Sequence, residues 1–124
     1  MSEKMNAKTE FVDFVAQCPP VRCACVYRGD YFDSDSDRAA ATSLLNLGYI
    51  PSDYTMFLDS LDFTYDSGYG GQELFGTIWF VDGSWAERGE YDGAEWWAYK
   101  QCPEIPAELA KTRVNKIADL IADA

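Results

Sequence analysis

Two Asp-Gly dipeptides, Asp82-Gly83 and Asp92-Gly93, separate three stretches of the chain that are rich in β-forming residues. Asp-Gly between such stretches is a strong hairpin signal, because both residues tolerate the positive φ angles that a type I′ turn requires. The pattern therefore predicts an antiparallel β-meander. Its strands are expected at residues 74–81, 84–91 and 95–101, with a fourth strand at 62–66.

The N-terminal part of the chain combines a helical pattern with a strand pattern. Apolar side chains in residues 7–17 recur at helical spacing, and Pro19-Pro20 then ends the predicted helix. Residues 21–27 alternate and are rich in β-formers, which indicates a strand.

Further helices are expected in the middle and at the end of the chain. One is predicted at 38–47, where three preceding Asp residues favour the helix N-terminus. Ser52 can cap a short helix through about residue 60, although residues 56–65 fit one strand equally well. Pro106 fits the first turn of a closing helix. The apolar face of that helix consists of Ala110, Val114, Ile117, Ala118 and Ile121.

These elements predict an α+β fold, in which an antiparallel β-meander of three to four strands has N-terminal, middle and C-terminal helices packed on it. The length of 124 residues suits one domain with its own core, and the apolar fraction of 48% is that of a folded globular protein. Residues 1–124 are therefore expected to form a single α+β domain.

Negative charge is concentrated in the middle of the chain. Residues 30–95 contain fourteen Asp and Glu against two Arg, which leaves a net charge of −12, whereas the whole chain carries −11. Such an excess repels nucleic acid and anionic membranes and attracts basic protein surfaces. We therefore expect a basic protein as the partner, with no direct binding of nucleic acid or membrane.

The location and the cysteine chemistry are linked. No apolar run approaches the roughly 20 residues that span a bilayer, and the first residues lack the regions of a signal peptide. A cytoplasmic location is expected, and Cys18, Cys23, Cys25 and Cys102 are then reduced thiols. Their spacing matches no usual zinc pattern, so we expect no metal.

Several catalytic chemistries are disfavoured by the residues present. The chain has no histidine, which removes the side chain most often used for acid–base catalysis near neutral pH. Residues 33–37 open like an EF-hand loop, but Arg38 stands where the turn glycine belongs. Glu87 and Glu90 form a possible glycosidase dyad, although close pairs are common by chance in so acidic a chain. We expect a protein without enzyme activity or cofactor.

Trp96 and Trp97 are neighbours on a predicted strand, so their side chains are expected on opposite faces of the sheet. Either both faces are covered, or one of the two rings is partly exposed. An exposed Trp among carboxylates has the composition of a binding hot spot with a charged rim. The alternative is that both rings are structural.

Two segments, Tyr65–Phe80 (YDSGYGGQELFGTIWF) and Glu90–Trp97 (EYDGAEWW), resemble small acidic proteins of bacteriophages and prophages. The resemblance covers roughly residues 57–105 and carries no defined activity. It implies a context, since small acidic phage proteins are often inhibitors of host defence, including DNA mimics that occupy the nucleic-acid groove of nucleases.

Charge and resemblance together lead us to expect an acidic inhibitor of anti-CRISPR or anti-restriction type, acting in the host cytoplasm. Its partner would be a nuclease or CRISPR effector, whose basic nucleic-acid-binding groove it would occupy. The alternatives are an immunity protein that neutralises a basic toxin, or a small ligand-binding module or enzyme with an aromatic–carboxylate pocket. The expected contact residues are Asp33, Asp35, Asp37, Asp59, Asp62, Asp66, Glu87, Glu90, Asp92 and Glu95, with Trp96 or Trp97 as anchor.

Overall fold

A computed structural model describes residues 3–29, 41–67 and 71–109 of the chain. The fold is α+β with antiparallel sheets, as the sequence predicts. In chain order the elements are β1 (Glu3–Asn6), α1 (Ala7–Val15), β2 (Val21–Arg28), β3 (Thr42–Leu45), α2 (Pro51–Ser60), β4 (Thr64–Ser67), β5 (Leu74–Phe80), β6 (Trp85–Tyr91) and β7 (Ala94–Lys100).

The predicted meander is confirmed as β5, β6 and β7, which pair in succession. These strands belong to a five-stranded sheet with the order β3-β2-β5-β6-β7. The fourth predicted strand exists as β4, but its expected place in the meander is wrong, because β4 pairs with β1 in a separate two-stranded sheet. Tyr65 of β4 is buried there against the rest of the core.

The helix predicted at 38–47 is wrong for residues 42–45, which form strand β3, while residues 38–40 lie outside the described part of the chain. β3 pairs antiparallel with β2, and the side chain of Leu45 is buried opposite Ala24. Helix propensity is a weak preference, and burial of Leu45 through strand pairing outweighs it here.

The other helix predictions have different outcomes. α1 is confirmed, and the side chain of Asn6 caps it by accepting a hydrogen bond of 2.9 Å from the Thr9 amide. The helical alternative for residues 52–60 is confirmed as α2, although the capping carboxylate is that of Asp53, which accepts the Ile50 amide at 3.1 Å. The apolar positions predicted for the closing helix, 110–121, lie outside the described residues.

The core lies between one face of the five-stranded sheet and helices α1 and α2. We call this the inner face, and it includes the buried residues Ile78 and Trp97. Phe11 of α1 makes edge-on ring contacts with Phe57 of α2 at 5.3 Å and with Trp97 at 6.1 Å, which fixes both helices on this side. The opposite side is the outer face, and it carries Cys25, Thr77, Trp79, Glu87 and Trp96.

The two Asp-Gly turns differ in their geometry. Asp92 and Gly93 have φ angles of 53° and 89°, as a type I′ turn requires, so that prediction is confirmed. At the first turn only Gly83 has a positive φ, 91°, and its amide donates to the Phe80 carbonyl at 3.2 Å. The type I′ prediction for Asp82-Gly83 is therefore wrong, because the connection is a longer loop that needs glycine at one position only.

Replacing Gly83 or Gly93 with Val is expected to lower the free energy of unfolding by about 1–3 kcal/mol, since a β-branched residue is strained at positive φ. Denaturant unfolding measures the effect. Gly71→Val is the matched control, because a side chain there meets open space and the backbone has no positive φ. Equal stability of all three variants would contradict the turn assignment.

Candidate protein-binding surface

Five of the predicted contact residues lie near one end of the five-stranded sheet, which we call the acidic end. It is the end where β5 begins and the β6–β7 turn projects. The residues are Asp59 and Asp62 at the end of α2, Asp66 on β4, and Glu90 and Asp92 at the β6–β7 turn.

Hydrogen bonds from β2 and α2 bring these separate elements to the same end. Arg28, the last residue of β2, donates to the Thr64 carbonyl of β4 at 3.3 Å, and the Gly29 amide donates to the Glu73 carbonyl at 2.9 Å. The hydroxyl of Ser60, the last residue of α2, donates to that of Ser43 at 2.8 Å. Glu73, which was not among the predicted contacts, therefore also lies at this end.

Lysines pair with only some of the carboxylates. Asp66 lies 2.9 Å from the Lys4 ammonium and Asp59 lies 3.8 Å from that of Lys8. Exposed pairs of this kind are weak and are screened by salt. Among the described residues Asp62, Glu90 and Asp92 form no ion pair, although Asp62 accepts a hydrogen bond from Asn6 and Glu90 accepts one from the Gly93 amide.

Glu87 lies apart from this group. Its side chain is on the outer face, 2.9 Å from the Lys100 ammonium, and the hydrogen bond and positive charge of Lys100 hold the pKa of Glu87 below its ordinary value. Glu90 is three residues further along β6 and therefore faces the other side of the sheet. The two carboxylates do not form a glycosidase-type pair.

The predicted contacts Asp33, Asp35 and Asp37 lie outside the described residues. The described chain stops at Gly29 and resumes at Ala41, and the Arg28 amide donates to the Ala41 carbonyl at 3.4 Å. The described residues Gly29 and Ala41 both lie at the acidic end.

The expectation that Glu95 contacts a partner is wrong, because its side chain is fully buried. Its carboxylate accepts the backbone amides of Glu73 at 2.7 Å and Leu74 at 3.0 Å, and it lies 3.3 Å from the guanidinium of Arg88. Glu95 and Trp97 share the inner face of β7, since alternate residues of a strand point the same way. The pKa of Glu95 is raised, mainly because burial penalises the charged form.

Arg88 is the centre of a buried cluster that also contains Glu10, Tyr65 and Glu95. Its side chain is 1% exposed and lies 3.1 Å from the carboxylate of Glu10. Arg88 donates to the Tyr65 hydroxyl at 2.8 Å, and that hydroxyl donates to Glu10 at 2.6 Å. Burial and the bond to Glu10 raise the pKa of Tyr65, so the phenol stays protonated and can make this donation.

Because Arg88 belongs to the buried cluster, its positive charge is absent from the protein surface. Residues 30–95 contain two cations, of which Arg38 lies outside the described residues and Arg88 faces the interior. Arg88 therefore neutralises carboxylates inside the protein and does not offset those of the acidic end, where Lys4 and Lys8 pair with Asp66 and Asp59 only. The alternation of side chains along β6 predicts this position of Arg88, because it puts Arg88 on the same face as buried Ala86.

The two adjacent tryptophans have different environments. Trp97 is buried, with its ring 6.3 Å from that of Phe14 and 4.9 Å from the Arg88 guanidinium. Trp96 is 43% exposed on the outer face, where its indole lies across Gly89 so closely that a Cβ on that glycine would be 2.6 Å from the ring. Trp96 is thus the residue available to act as an anchor.

Other aromatic residues share the outer face with Trp96. Trp79 is 44% exposed, and the rings of Tyr27 and Phe75 lie 5.5 Å apart on the neighbouring strands. The helices α1 and α2 both pack on the inner face, so neither covers these rings. The alternation of residues along β2 and β5 predicts this shared face, whereas the charge pattern does not point to it.

The cysteines and the helices support no further site. Cys18, Cys23 and Cys25 are half-buried free thiols and Cys102 is an exposed one. Within residues 3–29, 41–67 and 71–109, no group of three or more potential ligand side chains is placed to hold a metal ion. None of the helices in these ranges is long and apolar enough to cross a membrane.

Comparison with protein-family models, with curated proteins and with solved structures finds no match to this chain.

Proposed function

We propose that this protein is an acidic inhibitor that occupies the basic, nucleic-acid-binding groove of a host defence protein, such as a nuclease or CRISPR effector. One observation carries the proposal. Exposed carboxylates lie together at the acidic end, while Arg88, the described cation of residues 30–95, is buried between Glu10 and Glu95.

The arrangement suits imitation of a nucleic-acid backbone. Duplex DNA presents one negative charge for about every 1.7 Å of its axis, and a groove that binds it is lined with Lys and Arg. Carboxylates held on a rigid scaffold attract the same side chains but offer no phosphodiester bond to cleave. Asp62, Glu90 and Asp92 are free of ion pairs within the described residues, so such a groove could pair with them without displacing a lysine.

Trp96 gives the protein an exposed apolar contact on the outer face. It is opposite Gly89 on β6 and shares this face with Glu87, whereas Glu90, the next residue of β6, points to the other face. A partly exposed Trp bordered by charged groups has the composition of an interface hot spot with a polar rim. The carboxylates would speed association with a basic partner, and burial of the indole would slow dissociation.

A pair of isosteric variants tests the proposal. The first, the neutralised-end variant, combines Asp59→Asn, Asp62→Asn, Glu90→Gln and Asp92→Asn, which keep the side-chain hydrogen-bond acceptors. The second, the neutralised-control variant, combines Asp13→Asn, Asp53→Asn, Asp82→Asn and Glu104→Gln. All eight residues are exposed, and each variant removes four negative charges.

The full chain and both variants are immobilised and exposed to a bacterial lysate at low and high salt. We expect the parent and the neutralised-control variant to retain nucleic-acid-binding proteins that salt or excess duplex DNA displaces, and the neutralised-end variant to lose them. Retention by all three proteins, or capture that duplex DNA does not reduce, would contradict the proposal.

A further inference from the structure

Strands β5 and β6 pair over only part of their length. Their ladder begins with Trp79 opposite Trp85 and ends with Thr77 opposite Glu87. Within the described chain, the first three residues of β5 therefore have no ladder partner on β6. The two strands separate toward the acidic end, so strand pairing does not join the beginning of β5 to the β6–β7 turn and its exposed carboxylates.

The side chain of Glu95, on β7, bridges this separation. Its carboxylate accepts the amides of Glu73 at 2.7 Å and Leu74 at 3.0 Å, at the point where the ladder between β5 and β6 has already ended. The guanidinium of Arg88 lies 3.3 Å from the same carboxylate. Hydrogen bonds from backbone amides to a carboxylate are strong ones. Glu95 therefore connects the β6–β7 hairpin to the beginning of β5.

Glu73 extends this connection to β2 and β4. Its carbonyl accepts the amide of Gly29, which follows β2, at 2.9 Å. Its carboxylate accepts the amide of Asp66, on β4, at 3.2 Å. With the bond from its own amide to Glu95, Glu73 thus joins β2, β4 and β7. We call Glu73 and Glu95 the carboxylate clamp.

The exposed carboxylates of the acidic end lie on the parts that the clamp connects. Asp66 belongs to the two-stranded sheet, whereas Glu90 belongs to the five-stranded sheet. Asp92 is in the turn that follows Glu90. The relative position of these three carboxylates therefore depends on contacts between the two sheets, and the bond from Asp66 to Glu73 is one of them.

We propose that Glu73 and Glu95 are positioning residues, which fix the carboxylate of Asp66 relative to those of Glu90 and Asp92 before a partner binds. This role rests on the function proposed above. A groove that binds nucleic acid presents Lys and Arg to regularly spaced phosphates, so an imitation has to hold its charges at matching places. Groups that are already ordered lose less conformational entropy on binding. Glu73 acts through its hydrogen bonds and not through its charge.

Two substitutions of Glu73 separate the hydrogen bond from the charge. Glu73→Gln removes the charge but keeps an acceptor oxygen at the same reach. Glu73→Asp keeps the charge, but its side chain is shorter and does not reach the Asp66 amide. The hydrogen bonds that Arg28 and Arg88 donate to β4 remain in both variants, so the two sheets stay attached to each other.

Amide hydrogen exchange in the isolated full chain, followed by NMR, tests the clamp without a partner. We expect Glu73→Asp to speed exchange of the Asp66 amide about tenfold and Glu73→Gln to change it less than about threefold, because only the first loses the hydrogen bond. The amide of Ile78, a fully buried residue of β5, is the internal control and should exchange as in the parent.

Two results of the exchange experiment would overturn the proposal. One is an Asp66 amide that exchanges equally fast in the parent and in Glu73→Asp, which would show that the bond to Glu73 does not hold β4. The other is loss of protection at Ile78 together with Asp66, which would show that Glu73 supports the whole fold and has no separate positioning role.

Binding is measured with the proteins that the immobilised parent retains from a bacterial lysate and that excess duplex DNA displaces. We expect Glu73→Asp to weaken their binding about tenfold although it keeps the charge, and Glu73→Gln to stay within about threefold of the parent although it loses the charge. Glu104→Ala, which removes an exposed carboxylate elsewhere, is the control and should bind like the parent.

Failure of this inference differs from failure of the proposed function. If the neutralised-end and neutralised-control variants retain the same proteins, the proposed function is wrong, and the positioning role that rests on it is wrong as well. If those two variants differ as expected but Glu73→Asp binds like the parent, or Glu73→Gln binds as weakly as Glu73→Asp, the positioning role alone is wrong.

Discussion

Replacing Trp97 with Ala is expected to lower the free energy of unfolding by about 3–5 kcal/mol, the usual cost of removing a large buried aromatic side chain. Trp97 contacts Phe11, Phe14 and the Arg88 guanidinium, and its removal leaves a cavity at the centre of the inner face. Trp96→Ala is the matched control on the adjacent residue. Because Trp96 is 43% exposed, we expect it to cost less than about 1 kcal/mol.

Denaturant unfolding with tryptophan fluorescence and circular dichroism measures both changes. The pair also separates structure from binding, since Trp96→Ala should speed dissociation from the target while the fold persists. Equal destabilisation by the two substitutions would contradict the assignment of the two rings to opposite faces.

Replacing Arg88 with Met is expected to destabilise the protein by about 3–5 kcal/mol at neutral pH, because it leaves two buried carboxylates without their counter-charge. The hydrophobic volume is nearly kept, so the loss reports charge and not packing. Arg22→Met is the control, because Arg22 is exposed, and it should change stability by less than about 0.5 kcal/mol.

The pH dependence gives this prediction a second readout. Burial already raises the pKa of Glu95 above the ordinary value of 4.5, and loss of the arginine charge would raise it further. A carboxyl group whose pKa is raised by folding contributes its stability below the unfolded value and loses it as the pH rises through the folded value. The deficit of Arg88→Met should therefore shrink as the pH falls toward 4.5, and adding Glu95→Gln should restore part of it at neutral pH. A deficit that does not change with pH would contradict the role of the cluster.

Local sequence signals were sufficient for the meander. The strands β5, β6 and β7 are rich in β-forming residues and are separated by the two Asp-Gly dipeptides. Strand propensity and turn residues therefore predict the same hairpins. The second of these turns has the predicted type I′ geometry at Asp92 and Gly93. The first does not, because positive φ at Gly83 alone is enough for the longer loop.

Elements that depend on distant partners could not be predicted in this way. Residues 42–45 follow three aspartates that favour a helix N-terminus, but they form a strand because β2, earlier in the chain, supplies the pairing edge. The pairing of β4 with β1 joins residues that are about sixty positions apart, and nothing in either segment specifies the other. Non-local pairing of this kind outweighs intrinsic propensity.

The candidate site was only partly predictable for a similar reason. Counting charges identified the acidic middle of the chain, but it could not distinguish exposed Glu90 from buried Glu95. The alternation of β6 and β7 contained that information, since Arg88 and Glu95 both share a face with buried aromatic or aliphatic residues. The contact of Glu10 with Arg88 depends on how α1 packs and was not visible in the sequence.

The most direct test of the proposed function is the rate of association with a captured target across a salt series. At low salt we expect the neutralised-end variant to associate about tenfold more slowly than the parent, because long-range attraction raises association rates. The neutralised-control variant should associate more nearly like the parent, and the difference should disappear at high salt as the charges are screened. Equal association rates of the two variants would show that net charge, and not the acidic end, governs binding, and would contradict the proposed function.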